Sequence, residues 1–349
     1  RRVYSMNRDG SAVTQMFEGQ MRQLLNADYA PMHLIDSLER DPENVLFGTW
    51  GQNGYTVYRV NVSTGRPTVV DDDSGWDTGR MFVDGAGNPV MRMDFLPYAS
   101  GYRFFRRSPE GGRWQLAHEV LRSTIAQNRD FSPISAGPGA GQVYVAARPE
   151  GQEYQSIYLY DTRTGELGAP IYSLANTDAA AIRVDPNDNS LLAGCGETQR
   201  WQCRATDPRM QRHFDAIASY FEGVADFTLQ DVSLDKSTWL IYVTGPTIPP
   251  TYYVYDLNEA HISPLGSSYP QIPRTQLGPT EIVTYAARDG TSLWGYLTLP
   301  PGGAAPRGLL VMPHGGPESR DSFGFSFFEQ YLVTRDYAIF QPNFRGSEG

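Results

Sequence analysis

Short apolar runs of strand length, each introduced by a polar turn, recur along most of the chain. Val57-Tyr58 precedes a turn at Thr64-Gly65, and Ile157-Tyr158 precedes one at Thr164-Gly165, 100 positions later. Tyr158-Leu-Tyr-Asp161 returns as Tyr253-Val-Tyr-Asp256, 95 positions on. Between the first two lies Tyr102-Arg-Phe-Phe-Arg106, followed by a turn at Pro109-Glu-Gly-Gly112. A second landmark is a polar turn feeding an apolar strand. It occurs as Asp41-Pro-Glu-Asn44 before Val45, Asp84-Gly-Ala-Gly-Asn88 before Pro89, Gly139-Ala-Gly141 before Gln142, Asp185-Pro-Asn-Asp-Asn189 before Ser190, and Asp235-Lys-Ser237 before Thr238. The interval, roughly 45–50 residues, is that of one four-stranded propeller blade. The two landmarks predict a β-propeller over residues 1–270, with about five blades between residues 31 and 270 and residues 1–30 as the tail of an earlier one. With five to six blades present, the chain would hold part of a seven- or eight-bladed ring.

One segment departs from the strand pattern. Asp207 and Pro208 supply a cap and a first helical position. Met210, Phe214, Ile217, Ala218 and Phe221 then share one face, and Gly223 ends the helix. It reads as an insertion packed on a blade edge, not as a cofactor site. Residues 271–280, in a stretch rich in Pro, Ser, Gln and Thr, read as a linker.

Beyond it, over residues 281–349, the grammar changes. Glu281 to Ala286 is a strand, Arg288-Asp-Gly290 a turn, and residues 293–299 a second strand. Residues 308–312 form a third, almost continuously apolar, as a strand covered on both faces should be. Phe323, Phe327, Phe328, Tyr331 and Leu332 then share a helix face, and residues 337–340 form a fourth strand. This order is the opening of an α/β sheet.

Composition narrows the chemistry. The chain carries 29 Lys+Arg against 39 Asp+Glu, a formal net charge of −10, which argues against nucleic acid and against an anionic membrane surface. No run approaches the roughly 20 apolar residues of a membrane span. The 21 Tyr, 35 Gly and 25 Pro fit a largely β protein punctuated by turns. Arg1-Arg-Val-Tyr-Ser5 reads as the middle of a strand, so the amino terminus does not indicate a compartment. Cys195 and Cys203 have seven residues between them and no His within nine positions of either, which excludes a tetrahedral zinc site. They are either two free thiols on a strand pair or a disulfide across a hairpin. A bridge would stabilise by about 2–3 kcal/mol and favour a periplasmic or secreted location.

Asp71-Asp-Asp-Ser-Gly-Trp-Asp77 has the flavour of a calcium loop, but Gly75 sits where a ligand is required, and the stretch reads as a solvated loop between blades. His33, His118, His213 and His261 lack ligand spacing and read as solvated or satisfied. No cofactor or metal is expected.

Three motifs carry a family resemblance: Ala287-Arg-Asp-Gly-Thr-Ser-Leu-Trp-Gly-Tyr-Leu297, His314-Gly-Gly-Pro317 and Gln341-Pro-Asn-Phe-Arg-Gly-Ser347. With the order of the parts, they resemble the prolyl oligopeptidase family of serine peptidases, in its acylaminoacyl peptidase and dipeptidyl aminopeptidase branch. The resemblance is sharp over residues 281–349 and rests on architecture alone in the propeller. It implies a propeller followed by the amino-terminal part of an α/β-hydrolase domain. It also implies an oxyanion-hole donor on a loop after the third strand, the backbone N–H of Gly316. Gly315 would supply turn freedom and Pro317 the loop's exit. His314 would orient the loop through hydrogen bonds and not serve as a base. Arg345 would pair with a carboxylate and brace the site, the alternative being a plain surface arginine. Taken alone, Gly-Gly-Pro is only a tight turn; its place after the third strand and the downstream Asn343-Phe-Arg-Gly346 favour the functional assignment. One such donor stabilises a tetrahedral intermediate by about 3–4 kcal/mol.

The sequence also departs from the family. It contains no G-x-S-x-G; Gly290-Thr-Ser-Leu-Trp294 comes nearest but lacks the final glycine and precedes the second strand. The family places its nucleophile after a later strand, followed by Asp and His. Without a nucleophile turnover falls on the order of a millionfold, so these residues by themselves are expected to be inert. The whole enzyme is expected to cleave short peptides through an acyl-enzyme, with folded proteins excluded by size; a homo-oligomer is compatible with this. Two alternatives stand beside it: a non-catalytic propeller that binds a partner or peptide, and an esterase on the same scaffold.

Overall fold

A computed structural model describes residues 3–17, 32–51, 54–121, 131–316 and 319–348. Residues 1–2 and 18–30 of the expected tail, and Pro317, lie outside the described residues. Strands β1 (Tyr4–Ser5) and β2 (Thr14–Gln15) form a short antiparallel pair. Five antiparallel meanders follow. The first comprises β3 (His33–Asp36), β4 (Asn44–Trp50), β5 (Tyr55–Asn61) and β6 (Pro67–Ser74). The second comprises β7 (Thr78–Val83), β8 (Pro89–Phe95), β9 (Gly101–Ser108) and β10 (Gly111–Leu121). The third comprises β11 (Phe131–Ala136), β12 (Gln142–Ala147), β13 (Ser156–Asp161) and β14 (Glu166–Tyr172). Three strands make the fourth, β15 (Ala181–Val184), β16 (Leu191–Glu197) and β17 (Trp201–Ala205), and the fifth comprises β18 (Asp226–Val232), β19 (Thr238–Gly245), β20 (Ile248–Asp256) and β21 (His261–Ser267).

Both sequence landmarks fall at fixed places in these meanders. The tyrosine-rich runs are third strands, β5, β9, β13 and β20, and the polar turns each precede a second strand. The turns recur for a local reason: a carboxylate caps the backbone amides of its own turn. Asp84 Oδ1 accepts from the N–H of Ala86 and of Asn88 at 3.0 Å, and Asp235 Oδ1 accepts from the Ser237 N–H at 3.0 Å.

Residues 1–173 with 187–190 form one compact unit, and residues 174–186 with 191–349 another. In the first, the leading strands lie side by side, β3 against β7 and β7 against β11. Leu46, Val57, Val90, Met91, Val143 and Val145 are fully buried between its sheets. Together the leading strands wall a cavity of about 450 Å³ that His33, Asp36 and Arg80 help to line. Burial pushes the Asp36 carboxyl above its ordinary range. The acidic run from Asp71 is only in part a solvated loop: Asp72 and Asp73 are exposed, and Gly75 to Asp77 form the exposed link to β7. Asp71 to Ser74 complete β6, and Asp71 is 4% exposed. Arg107, from β9, reaches its carboxylate at 2.7 Å while lying 4.2 Å over the Trp114 ring. A partner on another strand, invisible in the local pattern, takes the charge into the interior.

In the second unit, Asp207 caps α1 (Pro208–Tyr220) as expected, accepting from the N–H groups of Arg209 and Met210 at 2.7 and 3.1 Å. Phe214, Ile217 and Phe221 bury against Leu229, Val232, Trp239 and Ile241, and α1 packs on β17 and β18. The helix stops at Tyr220, and Gly223, at φ +72°, turns the chain after it. Cys195 and Cys203 sit directly opposite each other on β16 and β17 and are joined by a disulfide.

Residues 271–280 run from β21 to β22 within this unit. There β22 (Thr280–Ala286), β23 (Ser292–Thr298), β24 (Gly308–Val311) and β25 (Tyr337–Asn343) form a mixed sheet in the order β22-β23-β25-β24. Of its three pairings two are antiparallel and one is parallel, β24 with β25, connected through α2 (Phe327–Val333). Two expectations need correction. β24 is not covered on both faces: it lies at the end of the sheet order, with Leu309 57% and Val311 59% exposed. Nor does the whole apolar set share a helix face: α2 begins at Phe327, so Phe323 lies before it and is buried. Phe327, Phe328 and Tyr331 are exposed, whereas Gln330 and Val333 are buried. The Gln330 amide donates to Pro246 O at 3.0 Å and Gly278 O at 2.9 Å and accepts from the Gly278 N–H at 2.7 Å. Backbone groups that would otherwise be buried unpaired select a polar side chain for the inward position. No helix among the described residues is long and apolar enough to cross a membrane.

Candidate functional site

The parallel ladder ends where the Met312 N–H donates to Phe340 O at 2.8 Å. The chain then leaves the sheet through His314, Gly315 and Gly316. Gly316 adopts φ +135°, a backbone that side chains with a Cβ rarely reach. A Cβ on Gly315 would meet nothing within 4 Å, so that residue lies against open space. Among the described residues nothing accepts from the Gly316 N–H. Among the described residues the loop therefore leaves this amide without a partner, on the segment that follows β24, where it could meet a carbonyl oxygen or oxyanion.

His314 holds the inner side of this turn. Its Nδ1 lies 2.9 Å from Gly315 O, and because a carbonyl only accepts, Nδ1 carries the proton. In the neutral ring Nε2 then accepts from the Ser347 hydroxyl at 2.7 Å. The imidazole also stacks on Phe344 with centroids 4.3 Å apart and planes at 14°. One ring nitrogen thus braces the loop's own turn, and the other ties the loop to Ser347 after β25. Arg345 pairs with the Asp289 carboxylate, but both side chains are more than half exposed, and none of its hydrogen bonds reaches the Gly315–Gly316 turn.

Several residues not singled out from the sequence fix the outgoing end of the loop. Asn343 clamps Asp321 at two points, accepting from its N–H at 2.9 Å and donating to its carbonyl at 3.1 Å. Gln341 Nε2 bridges the carboxylates of Asp321 and Glu329 at 3.1 and 3.2 Å. Burial raises both carboxyls; His314 opposes the rise at Asp321, and Asp321 adds to it at Glu329. Asn343 lies inside the quoted Gln341–Ser347 motif, so its position was legible though its task was not. The other four histidines are placed as packing groups where their contacts are defined: His33 sits edge-on to Trp50, His118 stacks on Phe131, and His213 Nδ1 meets the Tyr255 hydroxyl at 2.8 Å. Among the described residues no three His, Cys, Asp or Glu side chains gather as a metal site requires.

Small antiparallel meanders that lead into a mixed sheet place the chain in a recognisable fold group. It resembles the puromycin-hydrolyzing peptidase of Mycobacterium tuberculosis (TM-score 0.53, 15% identity, 89% of this chain and 49% of that one). It also resembles dipeptidyl peptidase 4 of Porphyromonas gingivalis (TM-score 0.54, 14% identity, 99% and 55%). By sequence it is 24% identical to dipeptidyl aminopeptidase BIII of Pseudoxanthomonas mexicana over 95% of this chain and 48% of that protein. It is 22% identical to dipeptidyl peptidase family member 6 of Caenorhabditis elegans over the whole chain and 50% of that protein. No family model matches. The chain spans about half the length of these curated relatives. The relatives bear out the resemblance to the prolyl oligopeptidase family.

Proposed function

We propose that the chain is part of a serine peptidase of the prolyl oligopeptidase family that cleaves short peptides through an acyl-enzyme. Residues 1–270 are five to six blades of a seven- or eight-bladed propeller, residues 271–280 a linker, and residues 281–349 the opening of an α/β-hydrolase domain. The Gly316 N–H stabilises the tetrahedral intermediate. Gly315 gives the turn its freedom, His314 orients it, and Arg345 braces the rim through Asp289. The nucleophile, acid and base are contributed by residues other than these 349. The observation that carries this assignment is the Gly316 amide on the loop after β24, which pairs with nothing among the described residues, in a chain that resembles peptidases over 95% or more of its length.

The test uses the complete gene product. A fluorophosphonate probe should label a serine, and short peptides should be turned over faster than simple acyl esters. Gly316→Ala keeps the N–H but disfavours the φ of +135° that aims it; it should lower kcat by up to about 10²–10³-fold, the cost of an oxyanion donor put out of place, while leaving labelling detectable. An unlabelled protein that still binds peptides would instead be a binding module, and turnover confined to esters would make it an esterase.

A further inference from the structure

The hairpin of β16 and β17 ends in a tip, Glu197 to Trp201, that is held by the mixed sheet of the same unit. Three successive carbonyls of this tip accept from two side chains of residues 281–349. Arg320 Nη1 donates to Glu197 O at 2.7 Å and to Glu348 O at 3.2 Å, and its Nη2 donates to Thr198 O. The Tyr296 hydroxyl donates to Gln199 O at 2.7 Å. The Glu197 carboxylate accepts from the Ser322 hydroxyl at 3.0 Å and lies 3.7 Å from Arg320 Nε. The next residue, Arg200, is forked by Asp226 and lies 3.9 Å over the Phe323 ring. Arg320 and Glu197 are mostly buried, with side chains 11% and 16% exposed.

A hairpin tip is ordinarily the most mobile part of a sheet. This one must hold still for its carbonyls to receive a planar guanidinium, whose donors are fixed in direction. The Cys195–Cys203 disulfide lies two residues inside the tip on either side, across a directly opposed pair. Arg320 in turn is four residues beyond Gly316 and adjoins the Asp321 clamp. We infer that the disulfide, the hairpin tip and Arg320 form one positioning device: the crosslink holds the tip, the tip's carbonyls hold Arg320, and Arg320 fixes the outgoing end of the Gly315–Gly316 loop. Arg320 is thus a positioning residue and touches no reacting atom. Its effect on turnover rests on the peptidase function proposed above; its effect on the loop does not.

The experiment has two readouts on the complete protein, amide hydrogen exchange over residues 312–321 and the kcat and KM for a short peptide. Replacing both cysteines by serine, or Arg320→Lys, should speed exchange over 312–321 and leave β25 protected. Each should lower kcat by about tenfold to a hundredfold, the scale of a misplaced site, with KM little changed. Lysine should fail to rescue, because an ammonium cannot serve the diverging carbonyls as a fork does. The combined variant should be no worse than the poorer single one, since groups that act as a unit are not additive. Should the cysteine variant not fold, Tyr296→Phe, which removes the hydroxyl's bonds to Gln199 O and to the Arg320 side chain, should speed the same exchange to a smaller extent. Unchanged exchange over 312–321 in the folded variants would overturn the inference. A wild-type protein that neither labels nor cleaves would defeat the peptidase assignment, and the exchange measurements would still decide this one.

Discussion

Two arginine clasps, one in each unit, use the same chemistry with opposite electrostatic results. In the first unit Arg163, on the turn after β13, reaches Glu110, on the turn between β9 and β10, at 2.9 and 3.3 Å. Their side chains are 38% and 66% exposed. In the second, Arg200 grips Asp226 through Nε and Nη2 at 2.6–3.1 Å, with exposures of 25% and 10%. At the exposed clasp the Glu110 carboxyl falls to about 2, first through the Ser108 hydroxyl and then through Arg163. At the buried one the Asp226 carboxyl rises, because loss of solvent outweighs even a forked guanidinium. Water is the deciding partner. The exposed pair is an ornament of two turns, whereas the buried pair fixes where Arg200 and Trp201 sit and becomes costly only when one half is missing.

The sharpest way to break this contrast is to remove one half of the buried clasp. Asp226→Ala leaves Arg200 without its carboxylate and should cost about 3–5 kcal/mol, read from the urea midpoint of the protein. Replacing Arg200 and Asp226 together by methionine and leucine should cost less than the single change, since no charge is then stranded. A single variant within 1 kcal/mol of wild type, on the scale of an exposed pair, would mean that solvent does not separate the two clasps. The next effect belongs to the same hairpin. Joint replacement of Cys195 and Cys203 by serine should cost about 2–3 kcal/mol by the loop-closure argument, again from the midpoint. A loss near zero would show that β16 and β17 hold their register without the crosslink.

The contrast also explains which features were legible in the sequence. Meander spacing could be read because its signals are local: Asp84 and Asp235 cap their own turns, and the tyrosine runs occupy the same strand of each sheet. The α1 cap at Asp207 was local too. The disulfide is not legible in the sequence alone, because two cysteines at hairpin spacing fix neither register nor oxidation state. What failed depended on distant partners. Asp71 was read as solvated because Arg107 comes from another strand. The burial of Gln330 follows from unpaired backbone at Gly278 and Pro246, which no helical periodicity can show. Around the candidate site, the His314–Gly316 turn was legible from its glycines, but Arg320 was not, because every carbonyl it serves is remote in sequence or nonlocal in the fold.

Acid should sharpen the same comparison with smaller effects. Glu197, Asp226, Asp321 and Glu329 are all raised by burial. A carboxyl raised on folding contributes stability that is present below its unfolded value and lost as pH rises through its folded value. As pH falls from neutral toward their ordinary values of 3.8 and 4.5, these groups should therefore add to the stability of the second unit, and exchange protection of β18, corrected for intrinsic rate, should hold or increase. Glu110 has the opposite sign: its contribution is present above its ordinary 4.5 and lost as pH falls toward about 2. Loss of β18 protection between neutral pH and those ordinary carboxyl values would show that the buried carboxyls are ionised and well satisfied. The smallest effect is expected at Glu110 itself. Glu110→Ala removes Arg163's carboxylate, but the guanidinium keeps the Ala140 carbonyl and its exposure to water. Its midpoint at neutral pH should match wild type at low and high salt alike, because the freed charge is solvated in either case. A clear, salt-insensitive loss would place the exposed clasp in the same class as the buried one, and the difference between them would then have to come from something other than water.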